Sequence, residues 1–253
     1  MNFRFFGDGP ALLVEGEKRH LVVADLHFGI EADLAAHGMY FRSRSAARLE
    51  RLMRIVEETD PDALILLGDV KHSIPSATRQ EYYEMPGILA ALRKRVPLLV
   101  FPGNHDIGLE RYLAEGELQP KEGRIIDGVG YLHGHTYPNK ALAGHLILLG
   151  HHHPLLVIRD EVGCALQTPA YVRADLDTAG MGMEDPVPGA TGPTRVLLVP
   201  AFNEIAGYDI RHILRKPFAP VSKYLKEDGV EIILADGSYF GPASMLKADD
   251  DDD

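Results

Sequence analysis

Residues 63–69 read ALILLGD, an uninterrupted apolar run closed by Gly68 and Asp69. A strand with no polar alternation suits a position covered on both faces, as in a parallel sheet flanked by helices. The flanking sequence agrees. Just upstream, SAARLERLMRIVEETD (45–60) spaces Leu49, Leu52, Met53 and Val56 at i, i+3, i+4 and i+7, which predicts a helix with one buried stripe, stopped at Asp60-Pro61. Further upstream lie three strand-like runs, FRFF (3–6), ALLVEG (11–16) and HLVVAD (20–25), with the turn former GDGP after the first. Downstream, YYEMPGILAALRKR (82–95) predicts a second helix leading into VPLLVFPGNHD (96–106). Strand, helix, strand, helix, strand is the signature of an α/β fold with a largely parallel central sheet. Beyond residue 106 strands dominate: GRIID, VGYLHGH, HLILLGHHH, LLVIRD, GCALQTPAYVRADL and TRVLLVPAF. The Gly- and Pro-rich DTAGMGMEDPVPGATGP (177–193) reads as a flexible surface loop between two of them.

The chain has 253 residues, 45% hydrophobic and 25% charged, an ordinary globular composition. One domain is expected over 1–247, followed by an acidic, disordered tail at 248–253. The net charge of −11 falls to −6 once the five terminal aspartates are set aside, so the charge balance gives no electrostatic reason to expect avid non-specific nucleic-acid binding. The short basic clusters at Arg93-Lys94-Arg95 and Arg211–Lys216 read as solvated helix ends, with local contact to phosphate as the alternative. Cys164 is the single cysteine, which rules out an intramolecular disulfide and thiolate zinc cages and suits a reducing, cytoplasmic setting; it is expected to be buried as a small apolar residue. No apolar run is long enough for a membrane span. Composition is silent on oligomeric state.

The chemistry recurs at strand ends. VVADLH places Asp25 and His27 just past an apolar run, LILLGD places Asp69, LLVFPGNHD places Asn104, His105 and Asp106, GYLHGH places His133 and His135, and LILLGHHH places His151, His152 and His153. Loops beyond the carboxyl ends of strands are where open α/β sheets bind ligands. Carboxylates and neutral imidazoles suit Mn2+, Fe2+ or Zn2+, with the Asn104 amide oxygen a weaker donor. In an extended segment i and i+2 share a side, so Asp25 with His27, and His151 with His153, are expected to reach one cluster while His152 points away. Gly68, Gly103 and Gly150 let the backbone turn and approach a ligand. Seven donors are too many for one ion; a metal pair sharing one carboxylate and a bridging water uses them all and suits displacement at phosphorus.

In order, DLH, GDV, GNHD, HGH and GHHH resemble the calcineurin-like metallophosphoesterase superfamily, whose pattern runs D-x-H, G-D, G-N-H-D/E, H, G-H-x-H. The resemblance implies a four-layer α/β/β/α sandwich in which two mixed sheets are flanked by helices. It implies a hydrolase that cleaves phosphodiesters through attack by a hydroxide bridging two divalent cations, Mn2+ first and Fe, Zn or Ni as alternatives. Asp25, His27 and His153 would hold one metal, Asn104, His133 and His151 the other, and Asp69 would bridge them. The HGH pair leaves His135 as an alternative to His133, which the family pattern favours. His105 would face the substrate and assist the leaving group, with Asp106 orienting its ring; His72 would line the pocket. GDVKHS and the chain length resemble small archaeal and bacterial phosphoesterases of DNA-repair contexts, which implies single-stranded nucleic acid or a nucleotide as substrate, and a repair protein as partner.

Taken singly, each residue has an ordinary explanation: Asp25 and Asp69 as helix N-caps, Asn104 as a turn residue, the histidines as hydrogen-bonded partly buried rings, and GHHH as a polar turn. What sets them apart is their joint order. Phosphomonoester hydrolysis, an inert scaffold of the same fold and a mononuclear zinc hydrolase are the competing readings. The last leaves donors unused and lacks a placed water-activating glutamate. His20, His37, His145 and His212 read as structural. Phe202 and Asn203 follow a late strand at the point where a loop would return to the cleft, though the sequence does not compel it.

Overall fold

The computed structural model describes residues 1–159, 165–183, 190 and 192–246. Cys164, residues 184–189 and 191 of the Gly/Pro-rich segment, and the acidic tail lie outside the described residues. Its first sheet runs in sequence order: β1 (Asn2–Phe6), β2 (Ala11–Glu15), β3 (Arg19–Ala24), β4 (Ala63–Leu67) and β5 (Leu98–Val100). The first three pair antiparallel, and β3, β4 and β5 pair parallel. The crossovers carry α1 (Ile30–Ala36) and α2 (Ser45–Thr59) between β3 and β4, and α3 (Arg79–Arg93) between β4 and β5. The run at 63–69 is central because its side chains alternate between two dry environments. Leu64 and Leu66 join Leu52 and Ile55 of α2 and Met85 and Leu89 of α3, while Ile65 and Leu67 face the second sheet. Each such fully buried side chain contributes about 1.5–3 kcal/mol.

The buried stripe of α2 is turned slightly from the expected one. Arg48, Leu52, Ile55, Val56 and Thr59 are buried, with Leu49 and Met53 only partly so. Arg48 turns inward because Glu31 and Glu204 meet its guanidinium and Phe28 lies under it. At the start of α3, Thr78 and Glu81 form a reciprocal capping box.

The second sheet contains β6 (Arg124–Ile126), β7 (Val129–Leu132), β8 (Leu146–Leu149), β9 (Pro154–Arg159), β10 (Ala165–Asp175), β11 (Arg195–Leu198) and β12 (Tyr208–Asp209), in the order β12-β9-β10-β11-β8-β7-β6. A hairpin of β13 (Glu231–Leu234) and β14 (Tyr239–Pro242) adds to β10. Strands β7, β8 and β11 are parallel. The two sheets meet through Leu12, Val22, Ile65, Leu67 and Phe101 on one side and Tyr131, Leu148, Tyr171 and Leu197 on the other. The outer face of the second sheet is covered by Ile210 and Ile213 of α4 (Ile210–Arg215), with Val221 and Met183. Two mixed sheets flanked by helices are thus the architecture that the strand-end motifs implied.

One expectation needs correction. The segment beginning at Asp177 is not a loose loop over its first half: Gly180 N–H donates to the Asp177 carboxylate (3.0 Å), Met183 N–H donates to the Thr178 carbonyl (2.8 Å), and Met183 is buried in the outer core. Its glycines supply a turn, and its methionines supply the apolar contact that composition alone hides. None of the helices among the described residues is long and apolar enough to cross a membrane.

Candidate metal centre

Strand ends of both sheets converge. Asp25 follows β3, Asp69 stands two residues beyond β4, and Asn104 lies in the loop after β5, while His133 follows β7 and His151–His153 follow β8. Within the first sheet Asp25 N–H donates to the Gly68 carbonyl (3.1 Å), and the two sheets are stitched together at this edge by Phe202 N–H on the Ala24 carbonyl (2.8 Å) and His151 N–H on the Asp25 carboxylate (3.0 Å).

Two groups of donor atoms result, each with its atoms within 4.8 Å of one another: Asp25, His27, Asp69 and His153, and Asp69, His133 and His151. Asp69 belongs to both. In the first group the Nε2 atoms of His27 and His153 face each other at 3.4 Å, with Asp25 Oδ1 at 3.2 Å from His153 Nε2 and Asp69 Oδ2 at 3.7 Å from His27 Nε2. In the second, His133 donates from Nδ1 to the Leu67 carbonyl (2.8 Å), which aims Nε2 at Asp69 (3.4 Å) and at the Asn104 amide oxygen (3.2 Å). A third group joins His27 to His72 and His105. His135 falls outside all three groups.

The donor set suits cations. Burial pushes the His27 pKa well down and that of His151 down to about 2, so both rings are neutral and able to ligate. Burial opposes the Asp69 carboxylate, but His133, through its charge and a side-chain hydrogen bond, holds the Asp69 pKa below the usual carboxylate range. Burial also works against a charged His133, yet Asp69 and Asp25 outweigh it and push that pKa up to about 9. Among the described residues, the ion-pair partners of Asp25 and Asp69 are histidines alone. Two fully buried carboxylates with no lysine or arginine against them call for positive charge that a metal ion supplies.

The local backbone departs from the extended geometry expected of D-x-H and H-x-H. Asp25, His27, Asp69, His151 and His153 all have φ between 43° and 69°, and they make up five of the seven non-glycine residues with positive φ among those described. Left-handed backbone at such residues costs of order 1–3 kcal/mol each and gathers where function over-determines it. Alternate side chains still share a side, because the turns, not a strand, aim them. A Cβ on Gly103 would collide with the Asp69 carboxylate and backbone, which is why the loop after β5 can close on the shared ligand.

Around this centre, His105 N–H donates to Asp69 Oδ1 (2.9 Å), and its Nδ1 donates to the His72 carbonyl. That carbonyl, not Asp106, orients the ring. The Asp106 carboxylate instead accepts from Val70 N–H (2.8 Å), Lys71 N–H (3.2 Å) and Gly103 N–H (2.8 Å), so it ties the two ligand loops together and is a positioning residue. Its pKa is pushed up to about 6 by complete burial and by the charge of Asp69. His72 stacks on His105 (5.1 Å, 25°) and brings Nδ1 to 3.1 Å from His27 Nδ1. His135 lines a groove of about 420 Å³ beside Asn104, together with Pro102, Ile107 and Lys121.

His152 points away from both donor groups, as expected, but is fully buried, with Nδ1 donating to the Gly150 carbonyl (3.0 Å) and its ring against Phe218. The loop after β11 does return to the cleft: Asn203, buried, donates from Nδ2 to the carbonyl of Leu26 (3.0 Å) and holds the segment that carries His27. Tyr208 and Phe218, which touch His153 and His151, carry no motif in the sequence; only their ring contacts reveal them.

A family model described as calcineurin-like phosphoesterase matches residues 18–174, and the chain belongs to that family. Among solved structures, a nuclease of Pseudomonas putida, MPE, is similar at 22% identity with a TM-score of 0.56, covering 92% of this chain and 97% of that one. Yfce, a phosphoesterase from E. coli, is matched more remotely at 16% identity and a TM-score of 0.35, covering 56% of this chain and 73% of that one.

Proposed function

We propose that the protein is a dinuclear metal-dependent phosphoesterase that hydrolyses phosphodiester bonds of nucleic acid or nucleotides. The observation that carries this reading is that Asp69 is common to two separate donor groups, one completed by Asp25, His27 and His153 and the other by His133 and His151 with Asn104 beside them. Two divalent cations bound there, with Mn2+ the favoured ion, supply Lewis acidity toward a phosphoryl oxygen and make hydroxide available near neutral pH. The chain's own groups do the rest. His105 stands at the half-buried rim with Nδ1–H committed to the His72 carbonyl, which leaves Nε2 as the atom that holds a proton for the departing oxygen. Asp106 fixes the spacing of the Asp69 and Asn104 loops by accepting from both.

The test is metal content together with turnover. Purified protein is loaded with Mn2+, its metal stoichiometry is measured, and hydrolysis of bis-p-nitrophenyl phosphate, p-nitrophenyl phosphate and single-stranded DNA is followed. Two ions per chain with preference for the diester is the expected outcome. Absence of bound metal and of hydrolysis of all three substrates would sink the reading.

A further inference from the structure

Two aromatic rings stand half-exposed against the donor histidines. Tyr208 is 50% exposed and lies nearly parallel to His153, with centroids 5.9 Å apart and planes at 29°. Phe218 is 43% exposed, 5.5 Å from the His151 ring and 5.7 Å from Tyr208. His153 belongs to one donor group and His151 to the other, so this aromatic wall runs along both. Tyr208 is held there by the backbone, its N–H donating to the His153 carbonyl (2.9 Å) and β12 pairing parallel to β9. Exposed Lys216 stands two residues before Phe218. Shielding the imidazoles requires only apolar bulk; two half-exposed aromatic rings beside both donor groups offer a stacking surface for a planar group.

We propose that Tyr208 and Phe218 form a base-stacking platform, and that the group esterified to the scissile phosphorus is a nucleoside whose base is unpaired. This rests on the phosphoesterase reading above and names its substrate class. A base inside a duplex has both faces covered by its neighbours and cannot lie on the wall, so the platform selects single strands. Stacking accepts any base and predicts little sequence preference, with Lys216 meeting an adjacent phosphate.

The experiment compares the Mn2+-loaded protein on oligothymidylate with an abasic oligonucleotide of the same length. The wild type is expected to prefer the base-bearing strand in kcat/KM by about 5- to 150-fold, the range spanned by stacking of one base. In Tyr208→Ala, Phe218→Ala and the double variant that ratio collapses toward one, while Tyr208→Phe and Phe218→Tyr retain it. Metal content is measured for each. If the ratio is unchanged in the alanine variants, or both strands lose equally because metal is lost, the platform is refuted and the rings only shield the ligands. Wild-type hydrolysis of bis-p-nitrophenyl phosphate without cleavage of oligothymidylate also overturns this inference alone. Failure on all of these substrates overturns the phosphoesterase reading with it.

Discussion

The two sheets contribute different chemistry to one centre. The first supplies its carboxylates, Asp25 and Asp69, with one imidazole and the Asn104 amide; the second supplies imidazoles only, at His133, His151 and His153. The first sheet's side is therefore charged, buried and braced by backbone N–H groups: His105 and His151 donate to its carboxylates, and three more donate to Asp106. The second sheet's side supplies no carboxylate and is aimed by one bond from His133 to the Leu67 carbonyl and by left-handed turns at His151 and His153. Neither sheet holds a complete ligand set, so the dry interface between them, with Phe101 and Leu67 against Tyr131 and Leu148, is what assembles the site.

The largest effect is expected where the two sides share a ligand. Asp69→Asn keeps the shape but removes the charge common to both donor groups, so both ions should be lost and turnover should fall about 10³-fold or more. Metal analysis on the purified variant checks it; one tightly retained ion would show that the groups are independent. Next comes His105→Ala, which should keep the metal near normal while lowering kcat about 10²–10⁴-fold, the span for a positioned acid or base. If the variant instead loses metal, His105 belongs with the ligands, and the third group it forms with His27 and His72 has been misread.

Which residues meet was legible in the sequence; how they meet was not. Apolar runs ending in Asp, Asn or His are visible because strands must bury both faces, and chemistry at a strand end follows the run directly. The same logic placed α2, α3 and the strands through β11. It missed α1, β12 and the β13–β14 hairpin, and it touched α4 only through its basic run, read as a helix end, because short elements on a sheet's margin bury too few residues to print a period. Extended geometry was assumed for D-x-H and H-x-H, where the chain adopts left-handed turns at Asp25, His27, His151 and His153. That conformation is imposed by contacts far away in sequence, such as the His151 N–H on Asp25, which no local pattern encodes. Asp106 shows the same limit: adjacent to His105 in sequence, it serves the backbones of residues 70, 71 and 103.

Asn203 tests whether the first sheet's side needs its brace. Its amide donates to the Leu26 carbonyl next to His27, and it makes no part of either donor group. Asn203→Ala should weaken metal binding about 10- to 100-fold, as loss of an outer-shell partner does, with kcat at saturating metal far less affected. Titration with Mn2+ separates the two; an unchanged affinity would mean that the backbone bonds from Phe202 to Ala24 and from Asn203 to Asp25 suffice.

The smallest effect on turnover, and the finest probe of the second side, is His152→Ala. The ring lies outside both donor groups, but it is fully buried between His151 and Phe218, with its Nε2 unpartnered and burial pushing its pKa down to about 4. Removing it leaves a cavity, so thermal unfolding should report a loss of about 1–3 kcal/mol. Metal stoichiometry and kcat should stay close to the wild type, because His151 and His153 are aimed by their own turns and by the Asp25 and Tyr208 contacts. If metal is lost along with stability, the aim of the neighbouring rings depends on packing beneath them, and the second side is braced by its core after all. Conversely, a variant with lowered melting temperature and intact metal sites separates what holds the turn from what the turn presents.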